Sequence, residues 1–213
     1  MAEENAKFFV GLNTDTNPKS REVYTIALLR GTFEGDAGFY KPDGRLTVYI
    51  PTDIKTKNKN DLKGIPESVL ATCNNMYQVM FGKRKDFSKE GFSGMIRGQI
   101  LTFFAANGCS DPVNTKLIGI EVFSDLRYLE ARGYLEEGDY SYDAIDVRSS
   151  LESMIEIRHH VGKNKQQILE GVVKLGLIPG EKVNPVPPDD PLYSCYECLK
   201  IYNGLLRYGR NKV

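Results

Sequence analysis

The chain has 213 residues, with 28 Lys and Arg against 28 Asp and Glu, so its formal net charge is zero. A neutral balance argues against a protein whose main work is coating nucleic acid, because that takes a net basic surface. Apolar residues make up 41% of the chain, and none of their runs nears the roughly 18 residues that span a bilayer. A globular protein with one sizeable core and no membrane span is therefore expected.

The opening Met-Ala-Glu-Glu-Asn is acidic and no apolar stretch follows it, so no secretory signal is expected. Phe8 to Leu12 is a short apolar run and reads as a strand. Glu22 to Leu29 is apolar on both alternating faces, the pattern of a strand covered on both sides. Leu46, Val48 and Ile50 alternate with polar residues, which predicts a half-buried strand. Lys41-Pro42-Asp43-Gly44 has turn chemistry, so a hairpin joining 37–40 to 46–50 is expected.

Residues 53–63 carry Lys55, Lys57, Lys59 and Lys63 with no apolar period, which reads as an exposed basic loop. A helix should follow Pro66, its inner face made by Val69, Leu70, Cys73, Met76, Tyr77 and Met80. Lys83, Arg84 and Lys85 then suit a helix C-terminus. A second helix, capped by Ser88 and stopped by Gly108, has Phe92, Met95, Ile96, Ile100, Phe103 and Phe104 as its apolar positions. Gly91, Gly94 and Gly98 lie in this same helix. Each costs roughly 1 kcal/mol relative to Ala, so close approach of another backbone is the expected reason for them.

Lys116 to Phe123 reads as a strand and Ser124 to Arg132 as a short helix ended by Gly133. Two longer helices are expected near 143–161 and 165–175. Five of the ten prolines fall between Ile178 and Pro191, which predicts a stiff linker. Asp190-Pro191 opens a last helix, with Leu192, Cys195, Tyr196, Leu199, Tyr202 and Leu206 on its apolar stripe. Strands come first and helices later, so the fold class is α+β: an N-terminal antiparallel sheet with helices packed on it. The expected organisation is a core over residues 1–177, a proline-rich linker over 178–191 and a C-terminal amphipathic helix over 192–213.

Chemistry-bearing motifs are sparse. Glu156-x-x-His159 is a single match to a pattern that di-iron bundles use twice, and its residues project towards a solvated helix face. Cys195-x-x-Cys198 falls inside a helix, where cysteine packs as a small apolar residue, and Cys73 and Cys109 read the same way. Four free thiols suit a reducing, cytoplasmic setting. Asp139, Asp143 and Asp146 are acids of the type that bind a divalent cation, but acids at a helix start have the commoner meaning of favouring that end. No nucleophile elbow, phosphate-binding loop or zinc-protease motif occurs. No metal, cofactor or catalytic residue is assigned from these patterns.

Charge is segregated along the chain. Residues 55–100 hold nine bases and four acids, whereas 121–156 hold ten acids and three bases. A molecule with a basic end and an acidic end suits head-to-tail association. The leading expectation is thus a non-catalytic, self-associating assembly protein, such as a subunit of a viral particle or filament. Its contacts would be Gly91, Gly94 and Gly98 of the second helix and Leu192, Tyr196, Leu199 and Tyr202 of the last, docked on a neighbouring copy. The alternatives are a nucleic-acid-binding module gripping phosphates with Lys55, Lys57, Lys59, Lys83, Arg84 and Lys85, or an enzyme with dispersed carboxylates.

Overall fold

The computed structural model describes residues 8–17, 19–34, 39–82, 89–111, 114–140, 144–150 and 190–210. Five strands form one mixed sheet: β1 (Phe8–Asn17), β2 (Glu22–Glu34), β3 (Phe39–Tyr49), β4 (Thr115–Gly119) and β5 (Ile145–Asp146). Their order is β3-β2-β1-β4-β5. The N-terminal three are antiparallel, as expected, while β4 joins β1 in parallel and β5 joins β4 in parallel. The described helices are α1 (Glu67–Phe81), α2 (Lys89–Ala106), α3 (Val122–Ala131) and α4 (Leu192–Arg210), with a further helical start at 147–150. The α+β class therefore stands. The expected linker over 178–191 lies outside the described residues except for its last two.

Alternation along β1 and β2 separates two cores. Val10, Leu12, Ile26 and Leu28 face Ile96, Ile100, Phe103 and Phe104 of α2 and Val122, Leu126 and Leu129 of α3. Ala27 and Leu29 face the other way, onto Leu192, Cys195, Tyr196, Leu199 and Leu205 of α4. This accounts for the mostly apolar stretch Val23 to Leu29, every residue of which is buried, the polar Thr25 included. A third, smaller cluster of Tyr24, Ile65, Val69 and Cys73 fastens α1, with Tyr49 packed against it.

Two local expectations are corrected. The Lys41–Gly44 turn is instead part of β3, with Arg30 opposite Gly44 and Gly31 opposite Pro42. Asp43 is the extra residue of a bulge, and β3 is an edge strand, where a proline without an N–H is tolerated. The strand after Lys116 stops at Gly119, because Glu121 takes a left-handed backbone (φ 61°) and α3 starts at once.

The last helix packs on the chain's own sheet. Gly11 permits this: a Cβ there would meet the Cys195 carbonyl oxygen at 2.7 Å and Leu199 at 2.9 Å. The Cys195 thiol donates to the Ala27 carbonyl at 3.2 Å, and Tyr202 meets Phe9 at 5.6 Å between ring centres. Ala27 pairs with Asn13, so α4 runs back along β1 and sets its N-terminus over that strand's carboxyl end. No helix among the described residues is long and apolar enough to cross a membrane.

Candidate active site

The chain leaves β1 on one side through β2 and β3, then returns on the other through β4 and β5. β1 is thus the point where strand order switches direction. In open sheets with parallel strands, the crevice beyond the carboxyl ends at such a point is the usual ligand site. Here β1, β4 and β5 all end at one edge. Gly11 pairs with Ile118 and Gly119 with Asp146, so the residues after β4 lie beside Leu12 to Thr14. Three helices begin at this edge: α3 after β4, the helical start after β5, and α4 over β1. The helix dipoles turn their positive ends to this edge, where the Asp146 and Asp190 carboxylates accept from the first-turn N–H groups of Ser149 and Leu192.

The side chains at this edge are polar. Apolar β1 gives way to Asn13-Thr14-Asp15-Thr16-Asn17, and Asn13, Thr14 and Asn17 are all buried. Thr14 donates to Asp125 of α3 at 2.6 Å, and this aspartate is itself buried. Thr25 donates to Asp15 at 2.5 Å. Successive side chains of a strand point to opposite faces, so Asp125 sits on the α2–α3 side and Asp15 on the α4 side. Asp190 caps α4 by accepting from the Leu192 N–H at 2.9 Å. Burial raises the Tyr49 phenol, and the negative charge of Asp190, then Cys73 and Asp15, raises it further. Burial likewise pushes the Cys73 thiol up to about 12, with Asp15 adding to it. Cys73 is therefore protonated at neutral pH and is no nucleophile.

Asn17 ties the basic loop to the same edge. It donates to the carbonyls of Asn60 and Asp61 at 3.3 and 2.6 Å and accepts from the N–H groups of Lys19 and Ser20. Lys55, Lys59 and Lys63 of this loop are exposed, while Lys57 pairs with Glu22. The edge thus combines carboxylates at the strand ends with lysines on a neighbouring loop.

The residues singled out from sequence distribute differently. Leu192, Tyr196 and Leu199 are buried in the chain's own second core and Tyr202 packs on Phe9, which corrects their expected docking on a neighbour. A stripe of period 3.6 must be covered, and the nearer sheet covers it. Gly94 and Gly98 face outward and, among the described residues, no atom outside the helix's own backbone lies within 4 Å of a Cβ built there, so no close packing contact explains them; Gly91 is exposed beside them. Lys83, Arg84 and Lys85, and Glu156 with His159, lie outside the described residues, as does Asp143. Asp146 caps the helical start by accepting from the Ser149 N–H, and Asp139 is clasped by Arg97. None of the four cysteines is in a disulfide and all are buried. Among the described residues, no three His, Cys, Asp or Glu side chains are grouped to hold a metal by themselves.

The sequence pattern did not mark Asn13, Asp15 or Asp125, and it marked Asp190 only as the cap of the last helix. The available signal was the abrupt change from Phe8–Leu12 to five successive polar residues inside a single strand. No known family model matches this chain, and no curated protein matches it in sequence.

Proposed function

We propose that the protein is a divalent-cation-dependent enzyme acting on a phosphate ester, with its site at the carboxyl ends of β1 and β4. The observation that carries this reading is the buried polar end of β1, flanked by Asp15, Asp125 and Asp190 and overlooked by the N-terminus of α4. Mg²⁺ is commonly held by one or two carboxylates together with substrate phosphates, so a complete protein cage is not required. The lysines of the 55–63 loop would meet the remaining phosphate charge. The reaction adds water across one P–O bond: the leaving oxygen departs as an alcohol or phenol, and phosphorus keeps the water's oxygen, so a diester yields a phosphate monoester. The site joins two of the sequence alternatives, dispersed carboxylates and a phosphate-gripping basic loop.

The test is hydrolysis of bis-p-nitrophenyl phosphate and of a labelled single-stranded oligonucleotide, with Mg²⁺ or Mn²⁺ and with chelator. Turnover of either should need the cation and fall at least 100-fold in Asp15→Asn and Asp125→Asn, as for loss of a principal electrostatic group. Cation-dependent turnover that both variants retain would refute the site.

Self-association is supported by a separate feature and stands as a second reading. The outer face of α2 exposes Gly94, Met95, Gly98, Leu101, Thr102 and Ala105, none of them charged. Such a face suits helix-on-helix contact with a second copy. Gly94→Leu should leave the monomer folded, since the site is open, and should lower the sedimentation coefficient at high protein concentration. An unchanged coefficient would remove this reading and leave the first untouched.

A further inference from the structure

A cleft of about 670 Å³ lies between α3 and the stretch Leu135–Tyr140, with Ala144 closing it. Its apolar lining comes from Phe123, Leu126, Leu135 and Ala144. Leu126 and Leu135 are buried, but the Phe123 side chain in the first turn of α3 is half exposed. The polar lining is Arg127, Glu130, Glu136, Glu137 and Tyr140, two negative charges in excess.

The far wall is built to hold its shape. Arg97 of α2 reaches over to Asp139 with two hydrogen bonds of 3.0 and 3.1 Å and to Glu136 at 2.5 Å. The Asp139 carboxylate also accepts from the Glu136 N–H at 2.8 Å, closing the turn on itself. Tyr140 donates its hydroxyl to the Glu130 carboxylate across the cleft. A preformed wall lowers the entropy lost on binding.

We infer that this cleft docks a short segment of a partner protein in which arginine or lysine alternates with apolar side chains. The apolar side chains would cover Phe123, Leu126 and Leu135. The cation would sit between Glu130 and Glu137, within reach of the electron-rich faces of Phe123 and Tyr140. The volume falls in the range of specific small sites. Excess carboxylate disfavours a phosphate here, so the cleft is chemically opposite to the phosphate-ester site proposed above and does not depend on it.

The experiment titrates the full chain with an acetylated, amidated pentapeptide alternating leucine and arginine, followed by backbone amide shifts. The control peptide has glutamate in place of arginine. Saturable shifts should gather in α3 and residues 136–140, and the control should produce none. Phe123→Ala and Glu137→Gln, both at exposed positions, should each weaken binding by about fivefold. The inference is overturned by an absence of saturable shifts, by equal binding of the glutamate peptide, or by shifts centred elsewhere. Spermidine binding as tightly as the peptide would also overturn it, since charge alone would then suffice.

Discussion

The two ends of β1 are built on different rules. At the amino end, Phe8 lies beneath the Arg30 guanidinium, 4.9 Å from ring centre to carbon, and Phe9 packs on Tyr202. Val10 and Leu12 follow, both fully buried. At the carboxyl end five polar residues run in succession, and three of them are as buried as the apolar ones. A polar group taken out of water must recover its hydrogen bonds, and even then gains little over an apolar residue of the same size. The pair Thr14 and Asp125, replaced together by apolar residues of the same shape, would lose little stability, so stability gives no strong reason to keep it. Local rules that a sequence breaks at one place while obeying them elsewhere mark functional sites.

The sharpest way to break this comparison acts on the apolar half. Gly11→Val would thrust a side chain against the Cys195 carbonyl and Leu199. It should destabilise the fold by about 3 kcal/mol, the upper part of the range for overpacking, and should lift α4 from the sheet. Urea unfolding of the variant measures this, and a loss under about 1 kcal/mol would mean that α4 does not rest on Gly11 as described.

A smaller effect is expected at the polar half. Thr14→Val keeps the shape but removes the donor to the buried Asp125 carboxylate. The cost should be about 1.5–3 kcal/mol, the usual range for removing a hydrogen bond to a charged group. Val10→Thr, the reverse exchange in the apolar half, places a hydroxyl among Ile100, Leu117 and their neighbours, and it should cost at least as much. If Thr14→Val instead stabilises the protein, the polar end is kept for function against stability, and the contrast between the two ends sharpens.

The smallest effect is expected far from both ends, at the Arg97 clasp. Burial alone would raise the Asp139 carboxyl, but hydrogen bonds from Arg97 and the Glu136 N–H outweigh it and hold it below the usual range. A carboxyl lowered in the folded state stabilises at pH values above its unfolded pKa of about 3.9, and that contribution is lost as pH falls through the folded value. Arg97→Gln should therefore be slightly less stable than the parent at pH 7, and the two should converge below about pH 4. Thermal melts over this range give the comparison, and a difference that grows on acidification would contradict it.

Much of the fold was legible in the sequence and little of the site was. Period-3.6 stripes located α1, α2 and α4, and the mostly apolar stretch Glu22 to Leu29 marked a strand covered on both faces. Periodicity says that a face is buried but not by what, so the stripe of α4 was compatible with a neighbour's surface or the chain's own. Gly11 decided the matter, and a single glycine in an apolar run carries no such message until the packing partner is known. Pro42 misled because Lys-Pro-Asp-Gly serves a turn and a bulge equally well. The site escaped because Thr14 and Asp125 are 111 positions apart and Asp190 is further still. Strand order brings them to one edge, and no spacing within the sequence announces that.

The central claim is that the polar end of β1 binds a divalent cation. Paramagnetic broadening of backbone amide signals by substoichiometric Mn²⁺ tests it without a substrate. Broadening should be strongest around Asn13 to Asp15, Asp125 and residues 190–192, and it should be lost in Asp15→Asn. Broadening centred instead on the acidic turn at 136–139, or none above that of free Mn²⁺, would contradict the account.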